Sequence, residues 1–103
     1  MTYALLNRLT AKPGKRTEVV DHLLESGRGF DGNPACLLYL VSEPAGSPDD
    51  IWVVDLWTTE EEHANALQDP EMRPHVEATI PLLERMPQQI EMQLRGGKVP
   101  SGD

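Results

Sequence analysis

Two polar side chains each share a predicted inward face with apolar residues, and they could line a pocket, one as a hydrogen-bonding carboxamide and the other as a proton-accepting imidazole. Asn7 shares one face of an alternating segment with Leu5 and Leu9, where a carboxamide must find hydrogen-bond partners or destabilise the fold by about 1–3 kcal/mol. His63 precedes Leu67 by four residues in a predicted helix, so its ring can point inward and titrate near neutrality. Asn7 is therefore a pocket residue or a side chain satisfied by backbone, and His63 is a proton acceptor or an ordinary half-buried histidine.

A further histidine and two tryptophans complete the set of candidates. His75 lies near the start of the third predicted helix, where a histidine is more often solvated or capping, and we keep it as a candidate for substrate binding. Trp52 and Trp57 are an odd number of residues apart on one predicted strand, so they lie on opposite faces of a sheet. Packing is the default role of both, and an aromatic wall is also what a flat, apolar substrate requires.

The sequence lacks the spacing of a metal site or a nucleotide site. No two of the three histidines are three or four residues apart, and Cys36 is the only cysteine. Gly27, Gly29 and Gly32 have the spacing of a dinucleotide loop, but they follow a predicted helix and precede a predicted strand. That order is the reverse of the one that aims a helix N-terminus at a phosphate. We therefore expect no bound metal and interpret the glycines as a loop that ends a helix.

The charge balance argues against polyanionic partners. The chain carries 9 Lys and Arg against 17 Asp and Glu, a formal net charge of −8, whereas nucleic-acid affinity comes mainly from clustered basic side chains. We predict neither nucleic acid nor an anionic membrane as a partner. No apolar run approaches the roughly 20 residues of a membrane span, and residues 1–11 lack the zones of a signal peptide, so the predicted location is the cytoplasm.

Hydrophobic periodicity predicts the elements that position these side chains. Strands are predicted over residues 3–10, 35–43, 51–58 and 88–95, and helices over 15–28, 60–68 and from about 73 to beyond 80. Thr59 and Glu62 have the form of a capping box, and Pro81 is expected to kink the third helix. A chain of 103 residues has room for one domain, predicted over 1–95, followed by a flexible tail over 96–103.

The order βαββ(αα)β predicts an α+β fold with a four-stranded antiparallel sheet and helices on one face. Residues 36–41 of the second strand are apolar at both the odd and the even positions, which point to opposite faces, as in a strand buried on both faces. The side without helices, around Leu38 and Leu40, must then meet another apolar surface. A homodimer formed sheet against sheet is the simplest solution.

Several short motifs follow one another along the chain in a characteristic order. They are Asn7-Arg8-Leu9, Lys12-Pro13-Gly14-Lys15, Leu56-Trp57-Thr58-Thr59-Glu60-Glu61-Glu62-His63, Leu67-Gln68-Asp69-Pro70-Glu71 and Pro81-Leu82-Leu83. With this order and spacing, residues 3–97 resemble the antibiotic biosynthesis monooxygenase family. The resemblance implies a ferredoxin-like protomer, a homodimer of the dimeric α+β barrel type, and a pocket between sheet and helices in each protomer.

The resemblance also implies a reaction. Family enzymes of known type oxygenate electron-rich quinols or polycyclic phenols without metal or flavin. A pocket of this kind removes a phenolic proton and holds the anion in a dry site, from which the anion reduces dioxygen. Asn7 would hold a substrate oxygen and His63 would accept or relay the proton, while Trp57 or Tyr39 would supply an aromatic wall. The implied partners are a small aromatic substrate and dioxygen, with no cofactor.

Two other functions compete with this one. A non-catalytic dimer that binds a small ligand or acts in stress would need only an apolar pocket. A related branch of the family degrades haem with a strand-one Asn, a second-helix Trp and a third-helix His that ligates iron. Asn7 fits that pattern, but Ala66 and Val76 stand where the Trp and the His would be. His75 comes one position early, and one residue turns a helix by about 100°, so its ring would point away from the ligand position.

Overall fold

A four-stranded antiparallel sheet covered by helices on one face forms the protein. The computed structural model describes residues 2–98, and the spatial order of the strands is β2-β3-β1-β4. The elements are β1 (Tyr3–Thr10), α1 (Arg16–Arg28), β2 (Cys36–Ser42), β3 (Asp50–Trp57), α2 (Glu60–Leu67), α3 (Arg73–Thr79), a 3-10 turn (Ile80–Leu82) and β4 (Gln88–Gln93). The predicted α+β, ferredoxin-like fold is confirmed.

Strand register places the polar side chains of three strands on one face. Asn7 of β1 is paired with Val53 of β3 on one side and with Gln89 of β4 on the other. Asp55 is paired with Leu5 of β1 and with Tyr39 of β2. Directly paired residues point to the same side of a sheet, so all of these side chains face the helices.

The core lies between this face and the helices, in two adjoining clusters. Under α1, the buried residues are Leu9, Ala11, Val19, Ile51, Val53 and Leu83. Next to α2, they are Phe30, Ala35, Trp57 and Met72. Trp57 is the largest fully buried side chain, and burying a residue of this size stabilises a fold by several kcal/mol.

The capping box at the start of α2 forms as predicted. Thr59 has extended backbone angles, and its side-chain oxygen accepts a hydrogen bond at 3.1 Å from the backbone N–H of Glu62. Three glutamates occupy the first turn, where negative charge favours the positive end of the helix. The cap fixes where α2 begins and therefore the turn on which His63 lies.

The third helix ends at Thr79 and continues as a 3-10 turn that contains Pro81. Proline lacks a backbone N–H and its ring clashes with the preceding turn, which explains the change of helix type. Beyond the turn, Leu83 is buried and forms a bridge with Ala11. Their spacing in the sequence predicts that Val76, Ile80 and Leu83 share one side of the third helix. Val76 and Ile80 are nevertheless each 47% exposed.

The face without helices, called here the open face, is largely apolar. By register, its apolar members are Ala4, Leu6, Leu38, Leu40, Trp52, Val54, Leu56, Ile90 and Met92. Polar residues lie at one end of the same face, namely Arg8, Thr10, Ser42, Asp50 and Gln88. Leu40 is 50% exposed and Ile90 is 53% exposed. Trp52 therefore lies on the opposite face from Trp57, as predicted. Within residues 2–98, no helix is long and apolar enough to cross a membrane.

The chain leaves the sheet after β4. Residues 94–98 have no regular secondary structure, and Gly96 and Gly97 have positive φ angles of 156° and 129°. The other residues of the predicted tail, 99–103, lie outside the described part of the chain.

Candidate active site

A cavity of about 230 Å³ lies between the sheet and the helices and is called here the site cavity. Its polar lining residues are Asn7, Ser26, Asp55, His63 and Gln89, and its apolar ones are Leu9, Leu23, Phe30, Tyr39, Val53, Leu67, Met72, Val76 and Pro87. Two larger surface hollows, of about 450 and 420 Å³, contain neither Asn7 nor His63. The polar candidates therefore converge on the smaller space.

Asn7 is held by three hydrogen bonds at the polar end of the site cavity. Its Nδ2 donates to the backbone oxygen of Val53 at 3.2 Å and to Oδ1 of Asp55 at 3.0 Å. Its Oδ1 accepts from Nε2 of Gln89 at 2.8 Å. A carboxamide has two N–H donors and two acceptor positions, so both donors are engaged and one acceptor position on Oδ1 stays open. Asn7 is thus satisfied by one backbone and two side-chain partners and also lines the cavity, while its role in substrate binding stays a prediction.

Asp55 is a buried carboxylate that our sequence analysis missed. Its exposure is 5%, and Oδ2 accepts a 2.7 Å hydrogen bond from the indole Nε1 of Trp57. Burial raises the pKa of Asp55, and the hydrogen bond from Trp57 and the nearby His63 offset only part of that rise. The signal was present in the sequence, since Asp55 has the same parity as Val53 and Trp57 on one strand.

His63 projects from the first turns of α2 toward Asp55. Its ring packs edge-on against Trp57, with centroids 5.3 Å apart and planes at 66°. Nε2 lies 3.8 Å from Oδ2 of Asp55, which is longer than a hydrogen bond. Burial lowers the pKa of His63, and the charges of Asp55, Glu60 and Glu91 oppose that change only in part. The lowered pKa favours the neutral imidazole, which is the form that accepts a proton.

Tyr39 forms an aromatic wall of the site cavity. Its hydroxyl donates to the backbone oxygen of Leu23 at 3.1 Å, and its ring lies edge-on to Phe30 at 5.3 Å. Burial raises the pKa of Tyr39 above its usual range. The ring is also pressed against α1, because a Cβ on Gly27 would lie only 2.8 Å from it. Tyr39 therefore presents a fixed, uncharged surface.

The other two candidates lie away from the cavity lining. Trp57 is fully buried behind it, where its indole contacts Phe30 edge-on at 5.1 Å and donates to Asp55. His75 faces α1, with its ring centroid 6.4 Å from that of His22. The structure thus brings Asn7, His63 and Tyr39 to one cavity, places Trp57 behind it, and leaves His75 outside.

The site cavity has a polar end on the strands and an apolar body beneath the helices. Such a cavity binds a flat, apolar molecule and orients it through a few polar contacts. A neutral imidazole beside a buried carboxylate can accept a proton from a bound hydroxyl. Within residues 2–98, no group of three or more His, Cys, Asp or Glu side chains is arranged to hold a metal ion.

The sheet order and the covered cavity define a ferredoxin-like α+β protein. The family model for antibiotic biosynthesis monooxygenases matches residues 2–78, which is most of the chain. The chain belongs to this family. Among solved structures, a protein from Chloroflexus aurantiacus assigned to the same family has 28% sequence identity and a TM-score of 0.85, with 96% of this chain and 98% of that chain covered.

Two more distant structures share the fold. SnoaB, a cofactor-independent oxygenase from Streptomyces nogalater, has 18% identity and a TM-score of 0.81, with 93% of this chain and 95% of that one covered. A protein from Caulobacter crescentus, assigned to the antibiotic biosynthesis monooxygenases, has 16% identity and a TM-score of 0.85, with 92% and 91% covered. No curated protein matches the sequence.

Proposed function

We propose that the protein is a cofactor-independent monooxygenase of small quinol or phenol substrates. The observation that carries this proposal is that His63 and Asn7, whose Oδ1 has an open acceptor position, line the same apolar cavity. Burial lowers the pKa of His63, which favours the neutral, proton-accepting imidazole. Membership of the family supports the same reaction class. The likeness to SnoaB, described as a cofactor-independent oxygenase, agrees with it.

The reaction begins with removal of a proton from the bound substrate. The substrate hydroxyl that is hydrogen-bonded to His63 gives its proton to the imidazole, while Oδ1 of Asn7 accepts a hydrogen bond from the substrate and orients it. The resulting anion is electron-rich in a dry site and transfers an electron to dioxygen. One oxygen atom enters the substrate and the other leaves as water, with all the electrons supplied by the substrate. Tyr39, fixed against α1, bounds the ring of the substrate.

The size of the site cavity favours a small ring system. Its volume of about 230 Å³ lies below the roughly 300–1,000 Å³ of typical sites for drug-sized ligands. Leu67 and Val76 line the cavity and are 52% and 47% exposed, so they mark its entrance. We therefore expect substrates with one or two rings to be preferred over polycyclic ones.

The proposal includes a homodimer formed through the open face. A contiguous apolar surface of this kind is rare on a monomer and marks an interface. Leu40 of β2 and Ile90 of β4 lie toward the two edges of the sheet, so the apolar surface extends across all four strands. Light scattering after gel filtration at micromolar concentration should give twice the mass of the chain, and a stable monomer would contradict the dimer.

Oxygen consumption by metal-free protein tests the activity directly. The substrate panel contains hydroquinones with one or two rings, and anthrones as the polycyclic comparison. The product is identified by mass spectrometry. His63→Gln should lower kcat by about 10²–10⁴, the usual contribution of a general base, and Asn7→Ala should lower kcat/KM. His22→Gln is the matched control, because His22 is a half-buried histidine of α1 that does not line the site cavity. Unchanged turnover in both site variants would refute the proposal.

The competing functions are separate outcomes of the same experiments. If hydroquinones raise the melting temperature but no product appears, the protein is a binding dimer and the oxygenase proposal fails. Haem degradation requires a haem ligand, and His75, the third-helix histidine, faces His22 and lies outside the cavity lining. A titration with haem is expected to leave the Soret band of free haem unshifted.

A further inference from the structure

A buried carboxylate lies beside the proposed proton acceptor. Asp55 has a side-chain exposure of 7%, and the positively charged partner available to it among the described residues is protonated His63. A buried carboxylate without a cation is costly, and it retains its charge only where hydrogen-bond donors or an opposite charge stabilise it. Protonated His63 would therefore supply the opposite charge that stabilises the buried carboxylate of Asp55.

Two donors hold Asp55 in place, one on each oxygen. Asn7 donates to Oδ1 at 3.0 Å and Trp57 donates to Oδ2 at 2.7 Å. Hydrogen bonds directed at a carboxylate favour its ionised form and fix its orientation. The distance from Oδ2 to Nε2 of His63 is 3.8 Å, so a small ring movement would convert this contact into a charged hydrogen bond.

We propose that Asp55 is a positioning residue that stabilises the protonated form of His63 during proton transfer. In this step the O–H bond of the substrate breaks, an N–H bond forms on His63, and the electron pair stays on the substrate oxygen. The new imidazolium then pairs with the carboxylate of Asp55. The inference rests on the proposed function for its substrate, whereas the pairing of Asp55 with His63 stands independently of that function.

Other titratable groups also face His63. They are Glu60 on α2, Glu91 on β4 and the Tyr3 hydroxyl on β1, in addition to Asp55 on β3. Glu60 and Glu91 are exposed, and water and salt screen exposed charges. Asp55 is buried, so its charge acts on His63 with the least screening.

A histidine titration by NMR tests this pairing without any substrate. The ring signal of His63 is assigned by its loss in His63→Gln. Asp55→Asn keeps the shape of the side chain and removes its charge, and it should lower the pKa of His63 by about 1–3 units. Asp50→Asn is the control, since Asp50 is a buried acid of the same strand that accepts from Arg8 and Thr10. An unchanged His63 pKa in Asp55→Asn overturns the proposal.

A measurement on the unaltered protein covers the case in which Asp55→Asn does not fold. The side-chain carboxyl carbon of Asp55 is followed by carbon-13 NMR as the pH changes. Its shift should be that of a carboxylate at pH 7, because two donors and His63 stabilise the charge. A carboxyl group that is still protonated at pH 7 overturns the proposal.

The pH profile of turnover distinguishes positioning from a purely structural role. Asp55→Asn should reduce kcat and move the acid limb of the profile to lower pH, because His63 without its partner loses its proton at a lower pH. A fall in kcat with no movement of the limb would mean that Asp55 acts only in packing, and the proposal fails. If the unaltered protein shows no turnover, the proposed function fails, while the NMR titration still decides the role of Asp55.

Discussion

The two faces of the sheet use burial in different ways. The helix-covered face carries Asn7, Asp55 and Gln89, which are joined by hydrogen bonds around a small cavity. The open face carries apolar side chains across all four strands, and some of them are half exposed. The strands thus alternate, residue by residue, between a face on which polar groups are hydrogen-bonded to one another and a face that presents an apolar surface.

This difference shows what each face requires. A buried polar network is stable only when its donors and acceptors are matched, and no buried side-chain nitrogen or oxygen in residues 2–98 lacks a hydrogen-bond partner. The open face requires only a complementary apolar surface. Substitutions on the two faces should therefore affect different measurements.

The largest expected effect is on the open face. Leu40→Lys places a charge on a half-exposed apolar residue and should raise the dimer dissociation constant about 100-fold or more, because the charge would lose water on association. Analytical ultracentrifugation measures the constant. Ile80→Lys is the control, since Ile80 is 47% exposed on the helix side, and an equal effect in both variants would remove the distinction between the faces.

On the helix-covered face, Gly27→Ala should lower the free energy of unfolding by about 1–3 kcal/mol, the usual cost of overpacking. The added methyl group would lie 2.8 Å from the Tyr39 ring, which is backed by Phe30. Urea unfolding measures the change. Gly32→Ala, where no atom lies within 4 Å of the new Cβ, should change the same quantity by less than about 0.5 kcal/mol. Equal effects would show that Tyr39 is free to move.

A smaller effect is expected at the start of α2. Thr59→Ala removes the hydrogen bond that caps the helix and should lower the free energy of unfolding by about 1 kcal/mol. Thr59→Ser keeps the hydroxyl and should retain most of the stability. Thr58→Ala changes the exposed neighbour and serves as the control. A loss in Thr58→Ala as large as that in Thr59→Ala would contradict the role of the cap.

The smallest effect concerns pH. An imidazole with the ordinary pKa of about 6.5 is only about one quarter neutral at pH 6, whereas burial lowers the pKa of His63 and keeps more of it neutral. Between pH 7.5 and pH 6, kcat/KM for a hydroquinone should therefore fall by less than about fourfold. A steeper fall that is absent from His63→Gln would show that His63 gains its proton more readily than its burial implies.

The sequence predicted the fold well because local signals agreed with one another. Alternation over residues 3–10 matches β1 at both ends, and the capping box placed α2 correctly. Strand β2 was recognised because its apolar residues occur at both parities. The dimer, the cytoplasmic location and the single domain over residues 1–95 stay predictions.

The site was predicted less completely, for a physical reason. Asn7 was found because a polar residue interrupts an apolar face, but Asp55 lies between Val54 and Leu56 in a strand apolar on both faces, and we did not apply the same rule to it. Gln89 is exposed in a polar stretch, and only its pairing opposite Asn7 reveals its contact. Contacts across strands depend on register, which single-strand patterns do not determine.

The hydrogen-bond inventory of Asn7 bears on how a ligand would leave. Its one open position is a lone pair on Oδ1, so it can receive a hydrogen from a ligand but has none to give. Under the proposed function, a quinol hydroxyl satisfies that lone pair, whereas the carbonyl of the oxidised ring faces it oxygen to oxygen. Asn7 would thus bind the quinol more tightly than the oxidised product, and this difference would promote release of the product.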